Sequence, residues 1–162
     1  MKFGSRQATV AAAFASLAYL TRFFNIVIPI GGPFVLDMRG VFVAVGASVG
    51  GPWVGFIIGF ISGVPAQIPL IDIPSFGLAG LTTGFLAQRL SRFRSLVSLS
   101  ALGMLVGYVV AAVVIFLFIP AIIASVPILM LRAAIMIPLE FIVLLTLYRI
   151  YPRAFEILNS TA

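Results

Sequence analysis

In Leu36-Asp37-Met38-Arg39 a carboxylate and a guanidinium stand two residues apart, and apolar sequence resumes at once after them. The two groups can form part of a lid over a polar solute, orienting it and shutting out water, or sit in an ordinary solvated loop. Arg22, Asn25, Gln67, Asp72, Tyr108 and Arg132 complete the set of candidate solute-binding groups, with Glu140 further along the chain. Arginine outnumbers acid in this set. A fork of donors suits a carboxylate or a phosphate, while Asp37 or Asp72 would suit an amine-bearing or zwitterionic solute. Catalysis has little material here. The chain has no histidine and no cysteine, which removes the commonest acid–base group, thiolate chemistry, disulfides and the usual transition-metal ligands. No metal site and no cofactor are expected. Ser75, Ser91, Ser98 and Ser100 have no visible base.

The elements that must position these groups are apolar. Of 162 residues, 62% are hydrophobic and 9% charged, against about a quarter charged in a soluble domain. The expected class is an all-α integral membrane protein, a single transmembrane domain over residues 1–162. A run of about 20 apolar residues crosses a bilayer, and six spans follow: 6–28, 40–49, 52–68, 74–88, 96–119 and 127–148. The second is short and is expected to line a cavity or pack inside the protein. Pro52, Pro74 and Pro127 stand where a first helical turn would begin. The first apolar run reads as a retained helix and not as a cleaved signal.

Net charge is +6, from nine arginines and one lysine set against four acids. Lys2 and Arg6, the cluster Arg89, Arg92 and Arg94, and the pair Arg149 and Arg153 all fall on one side of an even number of spans. That side is expected to be the cytoplasm, with both termini on it, in the cell membrane. The basic residues form no stripe, so nucleic acid is not an expected partner. The opposite side then holds Arg22, Asn25, Asp37, Arg39, Gln67 and Asp72, where a solute arriving from outside meets the protein first.

Arg132 and Glu140 lie inside the last span, eight residues apart, with Met136 between them. They share one helical face, about 12 Å end to end. Ionisable groups at membrane depth usually face a cavity or the bundle interior. Either could instead pair with a group on another helix and fix packing.

Small residues recur at helical spacing. Gly51, Gly55, Gly59 and Gly63 repeat every four residues, as do Gly80 and Gly84, and Gly103 and Gly107. Such stripes allow close helix contact, within one bundle or between copies. The first span carries Ala8, Ala11, Ala12, Ala15 and Ala18, which read as one smooth face. That face suits the docking of another protein's helix or packing against the chain's own.

An alanine-striped first helix, an outer loop ending Leu36-Asp37-Met38-Arg39, and a Gly-rich third helix opening with Gly51-Pro52-Trp53-Val54-Gly55 together resemble the substrate-binding (S) component of an energy-coupling factor transporter. The resemblance covers nearly the whole chain in length, span count and order. It implies a six-helix subunit that captures a vitamin or related micronutrient in its outer half, between the first outer loop and helices four to six. It further implies docking, through Ala8/Ala12 or Ala11/Ala15, to a transmembrane coupling subunit that works with two ATPases. The chain departs from the cobalt and nickel branch, which begins Met-His.

The residues agree on one point independently. No Gly-x-x-x-x-Gly-Lys-Ser/Thr occurs, so the chain carries no P-loop ATPase of its own. Two other classes remain as alternatives: an independent small transporter or channel, and a membrane enzyme or structural membrane protein. A channel needs polar residues on several spans, and the first three have few.

Overall fold

Arg39–Gly50 reads RGVFVAVGASVG, with small and β-branched residues all round and no polar face to offer water. A helix of that composition is buried on every side. In the computed structural model, which describes residues 4–31, 34–89 and 93–151, ten of its twelve residues are buried. Among the described residues there are six α-helices: α1 Ser5–Phe23, α2 Arg39–Gly50, α3 Pro52–Gly63, α4 Pro69–Arg89, α5 Phe93–Phe118 and α6 Val126–Ile150. A 3-10 turn, Pro120–Ser125, leads into α6. α2 is the hub, in contact with α1, α3, α4, α5 and α6.

The described residues are mostly helical, and the strands among them form one hairpin. Residues between α1 and α2, expected as loop, form an antiparallel hairpin of β1 Val27–Gly31 and β2 Phe34–Asp37, with Val27 opposite Asp37 and Ile28 opposite Leu36. The reason is local. Ile26, Val27 and Ile28, and then Phe34, Val35 and Leu36, are strand-forming residues on either side of a Gly-Gly-Pro sequence. The first helix therefore stops at Phe23, short of the expected residue 28.

Two helices are short, not one. α2 and α3 have 12 residues each, and α5 has 26. Gly51 joins α2 to α3 at φ +88°, a conformation that suits glycine, and Pro52 follows at the first helical position, where its missing N–H does no harm. Pro127 likewise lies in the first turn of α6. Pro74 does not start its helix: α4 begins at Pro69 and carries Pro74 in its interior.

Glycine stripes set the closest contacts. A methyl group at Gly55 would meet the carbonyl oxygen of Gly80, and one at Gly59 would meet the carbonyl of Phe76. At Gly63 it would come within 2.7 Å of the Ile73 Cα. α3 and α4 thus touch backbone to backbone. Gly103 and Gly107 do the same for α5 on α4, against Thr83 and Ser75, where Thr82 Oγ1 also donates to the Gly103 carbonyl at 3.1 Å. These stripes pack the chain's own bundle.

The alanines of α1 are not equally buried. Ala11, Ala15 and Ala18 are buried in the chain's own packing, where α1 lies on α2 and α3, whereas Ala8 and Ala12 are exposed.

The distribution of polarity is inverted relative to a water-soluble domain. Trp53 is 59% exposed and Phe116 66%, while Arg39 and Glu140 are each 1% exposed. Among the described residues two helical stretches, Pro69–Arg89 and Pro120–Ile150, are long and apolar enough to cross a membrane.

Candidate functional site

Arg39 stands at the first position of α2, and three elements converge on it. Its backbone N–H donates to Asp37 Oδ1 at 3.1 Å, and its Nε donates to Asp37 Oδ2 at 2.9 Å. Nη1 donates to the Ser62 carbonyl near the end of α3 at 2.9 Å, and Nη2 to Asp72 Oδ2 on α4 at 2.7 Å. The guanidinium plane lies over the Phe76 ring, 4.8 Å from its centroid. Charge-assisted bonds of this kind are short and strong, and a buried guanidinium needs them. Arg39 is therefore a strut that ties the hairpin base to α3 and α4. Asp37 responds to the same set of contacts. Burial alone would push its pKa up, but the charges of Arg39 and Arg132 and the Arg39 hydrogen bonds outweigh that, and the carboxyl is held below its usual range.

Arg132 is bound less completely. Its Nη2 is 3.7 Å from Asp37 Oδ2, an ion pair without hydrogen-bond distance. Its guanidinium is 5.8 Å from the centroid of the Phe76 ring. The side chain is 6% exposed, and its Nε has no hydrogen-bond partner among the described residues.

A cleft opens beside it. α4 contributes Asp72, Ser75, Phe76 and Ala79; α5 contributes Met104, Gly107, Tyr108 and Ala111; α6 contributes Leu129 and Arg132. One wall is aromatic, another aliphatic, and the polar groups are few, the composition expected of a small-molecule site. The free space between the walls is about 20 Å³, room for roughly one water. The cleft is narrow.

The sequence-derived candidates therefore divide. Asp37, Arg39, Asp72 and Arg132 form one contiguous ionic cluster, and Tyr108 lines the cleft beside it. Arg22, at the end of α1, is buried and lies within reach of the charges of Arg39, Asp37, Asp72 and Arg132. Its Nη1 also lacks a partner among the described residues. Asn25 is exposed and adopts φ +53° in the turn from α1 to β1, a left-handed conformation that asparagine tolerates. Gln67 is exposed between α3 and α4 and does not line the cleft.

Glu140 does not line it either. It lies against Gly40 at the start of α2, where a methyl group would meet both its Oε1 and the Met104 side chain. Both carboxyl oxygens are without a hydrogen-bond partner among the described residues. Met104 and Leu129 were not candidates from the sequence. Met104 stands four residues before Tyr108 and Leu129 three before Arg132, so helical periodicity around the polar residues would have found both.

Among the described residues no group of three or more acidic, histidine or cysteine side chains is placed to hold a metal ion. Compared with protein-family models, curated proteins and solved structures, the chain matches none, so the arrangement of its own residues carries the functional reading.

Proposed function

We propose that the chain is a membrane-embedded solute-binding subunit, which captures a small micronutrient-like solute in the cleft between α4, α5 and α6 and delivers it through a partner transport machine. Six spanning helices with both termini cytoplasmic is the topology that goes with this reading. The inverted polarity supports embedding, because large apolar side chains on the outside and charges within are what lipid selects. The ionic cluster supports the alternation of helix direction. The hairpin base, the first turn of α4 and the second turn of α6 meet in it, and all three belong to the outer side when successive helices run antiparallel. Arg6, Arg89 and Arg149 then fall at the opposite, cytoplasmic ends.

The observation that carries the reading is the buried Arg132. It lines an apolar, aromatic-walled cleft with a donor that nothing among the described residues accepts. A purely structural arginine would be satisfied as Arg39 is. Uphill uptake would draw its energy from a transmembrane coupling subunit and two ATPases, since the sequence carries no P-loop. Of the alanine stripe on α1, Ala8 and Ala12 are exposed and left free to meet a coupling helix.

The test is native mass spectrometry of the protein released from gentle detergent, together with uptake assays in cells that supply coupling and ATPase subunits. A small molecule retained by the wild-type chain and lost from Arg132→Met is the expected result. Equal retention by both proteins, or none by the wild type, would argue against the cleft as the site.

A further inference from the structure

Resting on the reading of this cleft as a solute site, we infer that its ligand carries a carboxylate, which docks on the open edge of Arg132 while an apolar or aromatic body lies between Phe76 and Leu129.

Three observations converge. The first is geometric. A carboxylate binds a guanidinium best through two parallel N–H bonds, and the edge formed by Nε and one Nη is one of the forks that allow it. In Arg132, Nε is unpartnered among the described residues, and Nη2 stands 3.7 Å from Asp37, too far for a hydrogen bond. Nε of that fork is unfilled, and the Tyr108 phenol, hydrogen-bonded to the same guanidinium, stands beside it.

The second concerns which acceptors are already committed. Asp37 takes two hydrogen bonds from Arg39, and Asp72 takes another. Neither can swing to Arg132 without breaking the strut that fixes the hairpin.

The third is the sign of the local charge. Arg22, Arg39 and Arg132 stand against Asp37 and Asp72 around the outer cluster, and Arg22 Nη1 is a second buried donor without an acceptor. Glu140 lies about two helical turns deeper along α6 and is not part of the cleft lining. Buried unfilled donors and an excess of positive charge call for an acceptor that brings negative charge. An amine-bearing solute would leave both donors unfilled and add a fourth cation.

The body of the ligand follows from the rest of the lining. Beyond the polar residues Arg132, Asp72 and Ser75, the walls are Phe76, Met104, Tyr108 and Leu129, with glycine and alanine at the close-packed positions. A ring or short alkyl body removes this surface from water, whereas a polyhydroxylated body would leave its hydroxyls without partners.

Benzoate, benzamide and benzylamine share one ring and differ in the charge of its substituent, so thermal unfolding of the detergent-solubilised protein is measured with each at millimolar concentration. Benzoate is expected to raise the melting temperature, with little effect from the other two. Arg132→Lys keeps the charge and loses the fork, and should weaken benzoate by roughly tenfold. Arg132→Met should abolish the response, and Arg132→Lys carries the test if Arg132→Met fails to fold. An equal or larger response to benzamide or benzylamine overturns the carboxylate inference and leaves the solute-site reading standing. So does an unchanged benzoate affinity in Arg132→Lys. No response to any of the three overturns the inference, and if no solute co-purifies with the protein either, the solute-site reading falls with it.

Discussion

A buried charge is stable to the extent that its partners are complete, and the two arginines of the cluster fall on opposite sides of that rule. Each guanidinium nitrogen of Arg39 has an acceptor in Asp37, Asp72 or the Ser62 carbonyl, so Asp37→Ala should be severe. Removing one partner of a buried pair costs about 3–5 kcal/mol, which thermal unfolding in detergent would register as a large drop in melting temperature. Acid should act on the same carboxyl. The Asp37 pKa is held below its ordinary value, so its contribution to stability is fully present above about pH 4. That contribution is lost as the pH falls through the folded-state value. The wild type should therefore lose stability in that range more steeply than Asp37→Asn, and parallel acid profiles for the two would contradict the assignment. These residues were legible in the sequence because charges are rare in it. Met104 and Leu129 were not, since an apolar side chain in an apolar helix carries no mark of which face it lies on. Asn25 and Gln67 are polar for turn and surface reasons, which a polar census does not separate from binding.

At the scale of the elements, spacing was informative where it reflected backbone contact. The four-residue glycine repeats were legible, and they mark where α3 meets α4 and α4 meets α5. Gly59→Ala would drive a methyl group into the Phe76 carbonyl, a backbone atom that cannot rotate away. Overpacking of this kind costs about 1–3 kcal/mol, and Gly77→Ala, with a nearest contact of 3.4 Å, is the matched control. Loss of stability in both or in neither would contradict the contact. The alanine face was legible in composition but not in orientation, because small residues cover more than one side of α1. Ala15→Trp should unfold the bundle, since Ala15 is buried. Ala12→Trp should leave the melting temperature and solute affinity unchanged and reduce uptake in cells that supply the coupling subunit and ATPases. Normal uptake by Ala12→Trp would remove that face from any docking role. Helix ends were read less well. Hydropathy does not distinguish a strand-forming apolar run from the continuation of a helix, so residues 24–28 were assigned to the first span although the helix ends at Phe23. Proline favours first turns, which makes Pro74 look like a start, whereas α4 accommodates it within the helix.

On the scale of the whole molecule, a space of about 20 Å³ is smaller than a benzoate-sized solute, so binding one there must move a wall. The walls are not equally fixed. α4 is locked to α3 by backbone contact and to α5 through Gly103 and Gly107, and the hairpin base is held by the Asp37–Arg39 bonds. α6 packs mainly on α5, with smaller contacts to α2 and the hairpin, and its ion pair to Asp37 spans 3.7 Å. Pro138 also interrupts its hydrogen-bond ladder near the middle, and such an interruption is where a helix bends. The N-terminal half of α6, which carries Leu129 and Arg132, is therefore the wall that yields. Spin labels at Leu70 on α4 and Leu131 on α6, both exposed positions, should separate by more than about 2 Å on saturation with benzoate. A second pair at Ile61 on α3 and Leu70 should stay fixed, because the glycine contact holds those helices together. If benzoate binds and the first distance is unchanged, α6 is not the gate. If both distances change, the bundle opens as a whole, and the division into a rigid α3–α4–α5 frame and a movable α6 is wrong.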